Sequence, residues 1–237
     1  MTSPSAVRAV VQRIVQATPT IKTFALGVER PVAFKAGQWL DVFIPGTDMV
    51  GGYSIYTAPP LLSHGVKHLD MAVKYARHPP TKWLHEQCRE GTELLIDVGG
   101  DVVLEPGEVK KPILFVAGGI GISPLFSMAQ AMAEHSAIHC HMLYSVAARP
   151  ELIFEKELQF LTEMNPHFTW EAFVTQEHDK TRIDEGTLDM ALSRLVPRTH
   201  DITDVTVIVC GPPPMVHLVE DTMHARGVTD VVYERWW

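Results

Sequence analysis

The pattern of hydrophobic and polar residues changes character near residue 106. Before it, short runs rich in Val, Ile, Phe, Tyr and Thr are punctuated by Pro and Gly: "GQWLDVFIPG", "YSIYTAPP", "LDMAVKYA" and "TELLIDVGG". Short β-prone segments with frequent turn residues predict an antiparallel barrel or sandwich. At the start of the chain, Val7, Val11, Ile14, "TPTI" and "TFAL" predict a strand, a turn and a second strand. That same stretch carries Arg8, Arg13 and Lys22 with no acidic residue up to Val28, so a mitochondrial presequence is the alternative reading.

From Ile113 onward the pattern alternates. Strands are predicted at 113–117, 138–144, 168–174, 205–210 and 230–234, with helices at 124–134, 151–164, 184–195 and 213–226. Strand and helix in regular succession predict a parallel sheet wrapped by helices. The charged, proline-bounded "EPGEVKKP" (Glu105 to Pro112) reads as a linker. The expected architecture is therefore two-domain, β followed by α/β: an antiparallel β-barrel over 1–106 and a parallel-sheet nucleotide-binding domain over 112–237.

The junction between the first parallel strand and its helix carries the first candidate chemistry. "VAGGIGISP" (Val116 to Pro124) places three glycines within four positions after the apolar run "ILFVA". Glycines let the backbone turn sharply and approach an anion at the positive end of the following helix. Ser123 is expected as the N-cap and Pro124 as the first helical residue. The stretch departs from the Rossmann fingerprint, because proline follows where a third glycine belongs. Taken alone it reads equally as a strand-to-helix turn and as a phosphate site.

Composition narrows the choices. A chain of 237 residues with 46% hydrophobic content supports one large domain or two smaller ones. The formal charge of −8 argues against a nucleic-acid surface. No apolar run approaches the ~20 residues of a membrane span. Three cysteines (Cys88, Cys140, Cys210) cannot pair evenly, which points to a reducing compartment. "HCH" (His139 to His141) puts two histidines on one strand face, but no third ligand has suitable spacing, so it is read as strand edge with no metal.

Four spaced motifs then read together: "GGYSI" (Gly51 to Ile55), "VKYARHPPTKWLHE" (Val73 to Glu86), "GGIGISP", and "VCGPPPMV" (Val209 to Val216), followed by the tail "YERWW" (Tyr233 to Trp237). A small barrel followed by an α/β domain with these motifs resembles the ferredoxin–NADP reductase superfamily of flavin enzymes. The "HPP" after "VKY" and the final "WW" resemble the animal oxidoreductase NAD-binding domain-containing branch.

The resemblance implies roles for particular residues. Tyr53 would pack on the flavin ring, Ser54 would approach its N5, and Ile55 completes that motif. Lys74, Thr81, Lys82 and Trp83 belong to the second flavin motif, where Thr81 and the following amides would face the pyrophosphate. Arg77 adds nearby positive charge. Gly118, Gly119, Gly121, Ser123 and Pro124 would hold the nicotinamide dinucleotide. Cys210 would sit at the nicotinamide, with Gly211, Pro212 and Met215 shaping its turn. Glu234 would approach the nicotinamide, and Trp236 or Trp237 would cover the flavin. Ser54, Cys210 and Glu234 are thus the catalytic candidates.

Two residues depart from the pattern. Gly51 stands where the superfamily has an arginine that binds the flavin pyrophosphate, and His78 stands where it prefers glycine. The implied cofactors are FAD, with FMN less expected, and NADH or NADPH. Thr175, Gln176 and Glu177 replace the usual Ser and Arg that grip a 2′-phosphate, which favours NADH, although Arg149 and Arg182 lie near in sequence. The implied activity takes hydride from NAD(P)H onto the flavin and passes electrons to a separate, unidentified acceptor such as a redox protein. The alternative is a flavin-free nucleotide sensor or assembly subunit. The resemblance implies a mitochondrial location, with the cytoplasm as the alternative.

Overall fold

A computed structural model describes residues 5–60, 65–135, 137–176, 181–196 and 201–233. The N-terminal half forms an antiparallel sheet of β1 (Val7–Gln16), β2 (Ile21–Val32), β3 (Trp39–Phe43), β4 (Val50–Ser54), β5 (Val66–Lys74) and β6 (Glu93–Gly99). Helix α1 (Pro79–Glu86) follows β5. The strands lie in the order β4-β3-β6-β1-β2-β5. An antiparallel bridge between Ile55 and Met71 brings the β4 and β5 ends together and curls the sheet into a barrel. Alternation is the reason for this geometry: in β1, Val7, Ala9 and Val11 are buried while Arg8, Val10 and Gln12 face out. The start of the chain is therefore strand, as its hydrophobic spacing predicts.

The C-terminal half is a five-stranded parallel sheet of β7 (Ile113–Gly118), β8 (Cys140–Val146), β9 (Phe168–Val174), β10 (Thr206–Cys210) and β11 (Val231–Tyr233), ordered β11-β10-β7-β8-β9. Its helices are α2 (Ile122–His135), α3 (Glu155–Met164), α4 (Glu185–Leu195) and α5 (Pro213–Ala225). Two cores result. Leu125, Met128, Ala129 and Met132 of α2 join Phe115 and Met142 on one face, while Leu188 and Leu192 of α4 and Val216 and Val219 of α5 join Leu114 and Val116 on the other. Every residue of β7 is buried, as a central strand covered on both faces requires. The sheet runs outward from β7 in both directions, so the crevice for a ligand opens at the C-terminal ends of β7 and β10.

Three details differ from the periodicity. The helix predicted over 151–164 begins at Glu155, because Phe154 takes a left-handed conformation (φ 62°) and stacks on Phe126 with ring centroids 4.6 Å apart. A 3₁₀ turn over Gly119–Gly121 runs directly into α2, so the helix begins at Ile122 and Ser123 lies within its first turn rather than capping it. The histidines of "HCH" belong to an interior strand and its approach, since β8 lies between β7 and β9.

Polar contacts hold the two sheets against one another. The Ser127 hydroxyl donates to the Thr57 carbonyl (2.7 Å) and Gln130 Nε2 to the Tyr56 carbonyl (2.7 Å). Both donors lie on α2, so the helix that begins at the glycine turn is itself anchored to the segment leaving β4. The Thr18 and Thr20 hydroxyls both donate to the Glu151 carboxylate. The ends of β4 and β7 consequently face one shared cleft.

Candidate functional site

A cleft of about 640 Å³ lies between the sheets. From the barrel it takes Tyr53, Ser54, Lys74 and Thr81; from the parallel sheet it takes Gly118, Gly119, Gly121, Ser123 and Pro124, with Cys210, Gly211 and Pro212 closing it. Twelve residues singled out from sequence thus line one cavity, although they come from four motifs. A cleft of this size suits a small-molecule or cofactor site.

The turn after β7 is built for close approach. Gly119 has φ +56°, a left-handed conformation that glycine adopts without strain, and a Cβ there would meet open space. Gly121 sits directly on the end of β10: a Cβ would lie 2.6 Å from the Cys210 carbonyl carbon and 3.0 Å from the Gly211 nitrogen. The two turns therefore touch through backbone alone, and α2 starts with its positive end toward the cleft.

Ser123 is the most informative side chain. It is 1% exposed, lines the cleft, and its Oγ has no hydrogen-bond partner among the described residues. A buried unpaired hydroxyl costs ~1–3 kcal/mol, so its retention at a helix start fits a ligand oxygen as the missing partner. Ser123→Ala is therefore expected to leave the free protein equally or slightly more stable while weakening nucleotide binding roughly fivefold or more. Thermal melts with and without NADH check this; an unchanged NADH-induced shift would remove Ser123 from the site.

On the barrel side, Tyr53 is buried and its hydroxyl lies 3.1 Å from Thr81 Oγ1. Burial pushes the phenol up and the Thr81 contact opposes this, so the ring stays neutral at ordinary pH. Gly52, Ala72, Val73, Ala76, His78 and Ile120 also line the cleft. The sequence motifs did not mark them as ligand contacts. Several have the small side chains that leave space for a ligand, a signal visible in "AVKYA".

Other expected residues lie elsewhere. Ile55 is fully buried in the barrel core, on the side opposite to Ser54; Tyr53 shares that side and that core, but it also lines the cleft. Trp83 packs against that same core, and Lys82 reaches Glu86 one turn on (3.9 Å). Met215 packs beneath the turns: a Cβ on Gly118 would lie 2.8 Å from its Cε. The amide of Lys82 is bonded to the His78 carbonyl (2.9 Å), so it does not face a pyrophosphate as expected. Arg77 lies outside the lining. Glu177, Glu234, Trp236 and Trp237 fall outside the described residues.

Known proteins with similar sequence and fold place the chain in a family. Residues 115–221 match the oxidoreductase NAD-binding domain family. The chain is 33% identical to the zebrafish (Danio rerio) oxidoreductase NAD-binding domain-containing protein 1, covering 94% of this chain and 89% of that one. It is 28% identical to the reductase component of propane 2-monooxygenase from Rhodococcus jostii, over 93% of this chain and 60% of that protein. A crystal structure of a ferredoxin NADP+ reductase from Neisseria gonorrhoeae with bound FAD and NADP superposes with a TM-score of 0.80 at 20% identity, covering 99% of this chain and all of that one.

Proposed function

Because the chain belongs to the family of oxidoreductase NAD-binding domain-containing protein 1, with the ferredoxin–NADP reductase fold, we propose that it is an NADH-dependent flavin-linked reductase. The observation that carries this reading is the buried Ser123 hydroxyl at the glycine turn, unpartnered among the described residues, in a cleft that Tyr53 and Ser54 also line. A flavin bound there, FAD by analogy with the Neisseria reductase, supplies a ring that accepts hydride and passes electrons on to a separate acceptor.

The protein's own residues bind and orient. The glycine turn, Ser123 and the start of α2 receive the nicotinamide dinucleotide's diphosphate. Cys210 and Gly211, at the end of β10, limit how deep the nicotinamide can go. Tyr53 offers a flat, neutral surface for a ring, and Ser54 offers a hydroxyl beside it. Proximity is the main contribution, since two rings held face to face react without a costly encounter.

NADH is preferred over NADPH. Thr175 and Gln176 are fixed at the end of β9 through amide bonds to the carbonyls of Val146 (3.0 Å) and Ala147 (2.9 Å). Neither offers a cation to a 2′-phosphate. Arg149, one nearby candidate, is paired with Glu155 (3.1 Å). Gln176→Arg is accordingly expected to raise NADPH use relative to NADH by roughly tenfold, through a bidentate charged contact.

The deciding experiment adds FAD to the purified protein and follows the flavin spectrum anaerobically as NADH is titrated. Bleaching that depends on the protein supports the proposal. NADH binding without bleaching at any flavin concentration would leave a nucleotide-binding module instead.

A further inference from the structure

The cleft is built unevenly for its two ligands. A nicotinamide dinucleotide and a flavin dinucleotide each bring an anionic diphosphate, so two such groups would share one cavity. One diphosphate is provided for by the glycine turn, the start of α2 and Ser123. The second would have to lie on the barrel side, near the start of α1.

That side has fewer backbone donors than the glycine turn, although Lys74, His78 and Thr81 line it. Pro79 and Pro80 occupy the first two positions of α1 and have no N–H to offer. Lys82 N–H is already bonded to the His78 carbonyl, which leaves the Thr81 N–H and the Thr81 hydroxyl, shared with Tyr53, as the donors at this helix start. Gly51 cannot be replaced by a long cationic side chain without displacing Tyr53, whose ring folds over it: a Cβ at Gly51 would lie 2.8 Å from Cε2 and Cζ. Lys74 is the sole lysine or arginine among the described lining residues. The rest of the barrel-side lining is Ser54, the small residues Gly52, Ala72 and Ala76, and Tyr53, which is otherwise packed in the barrel core.

From this asymmetry we infer that the protein recognises the flavin by its ring rather than its tail, and takes riboflavin, FMN and FAD alike as exchangeable substrates. The inference rests on the proposed reductase reading and gives it an acceptor: the free flavin itself. NADH transfers a hydride, carrying an electron pair and one proton, to the oxidised flavin. A second proton comes from water, and NAD+ and dihydroflavin both leave. The reduced flavin then carries the electron pair to whatever oxidises it.

The test uses the full chain and three separate probes. Fluorescence-quench titrations with riboflavin, FMN and FAD are expected to give dissociation constants within about tenfold of one another. Each flavin is expected to be lost on a desalting column. Each, added in excess, is expected to support many NADH oxidations per protein molecule. FAD bound at least a hundredfold more tightly than riboflavin, and retained on the column, would overturn the inference while leaving the reductase reading intact. No binding of any flavin would overturn both.

Lys74→Gln supplies a second measurement that does not depend on turnover. It is expected to lower FMN and FAD affinity to the level of riboflavin and to leave riboflavin affinity unchanged. An equal loss for all three flavins would place Lys74 at the ring, and the division between ring and tail would fail.

Discussion

Replacing Gly121 with alanine is expected to destabilise the protein by ~1–3 kcal/mol and to weaken NADH binding by roughly tenfold or more. The added Cβ would meet the Cys210 carbonyl group and the Gly211 nitrogen, all backbone atoms of the neighbouring turn. A side chain could rotate away from such a clash. A backbone at the end of a hydrogen-bonded strand cannot, since β10 pairs with β7 through Cys210 opposite Ala117. The two turns must therefore move apart, taking the start of α2 with them. Gly107 is the matched control, because a Cβ there meets nothing within 4 Å. Gly107→Ala is expected to stay within ~0.5 kcal/mol of wild type. Chemical denaturation and NADH titration of both variants check the pair. Equal behaviour of the two would mean that the turn tolerates separation and that the close approach has no bearing on binding.

Acid is expected to cost the folded protein roughly 3 kcal/mol through one side chain, His141. Its ring is 2% exposed, with Nδ1 bonded to Thr169 Oγ1 (2.7 Å) and Nε2 without a hydrogen-bond partner among the described residues. Burial lowers its pKa first, the charge of Arg194 lowers it further, and the Thr169 contact works the other way, leaving a value of about 4. Glu171 lies 3.7 Å from Nε2 and would favour the charged form, but its carboxylate is already paired with Arg194. The imidazole is therefore neutral in the folded state.

The direction follows from linkage. In the unfolded chain the histidine takes up a proton near pH 6.5, whereas in the fold it resists until about 4. The stabilisation is complete above 6.5, falls as pH drops from 6.5 toward 4, and is lost below that. Unfolding free energies measured across this range for wild type and His141→Leu are expected to diverge, with the wild type showing the steeper loss. Parallel curves would show that the ring is protonated in the fold.

The amino-acid sequence alone was enough to define the alternation of strand and helix from Ile113 onward, the barrel-like texture before it, and the glycine turn as the likeness of a phosphate site. These properties are local. A 2-residue or 3.6-residue period reports which face of an element is buried, and the apolar run of β7 reports a central strand. Glycine spacing reports what the backbone can do. Local rules also explain the errors: Ser123 looked like a cap because its residue type suits one, while the preceding 3₁₀ turn was invisible to the pattern. Ile55 completes its motif in sequence, yet its side chain lies wholly in the barrel core, while Tyr53 on the same strand face still reaches the cleft.

Only the tertiary structure decided which groups meet. Tyr53 and Thr81, Gly121 and Cys210, and His141 and Arg194 are joined by sheet register and helix packing, not by spacing along the chain. The same holds for the cations. Lys74, Arg77 and Lys82 look equivalent in sequence, yet Lys74 lines the cleft, Lys82 pairs with Glu86 and Arg77 lies outside the lining. The direction of a side chain at a strand end or helix start depends on neighbours brought in from distant segments, and a linear pattern carries no record of them.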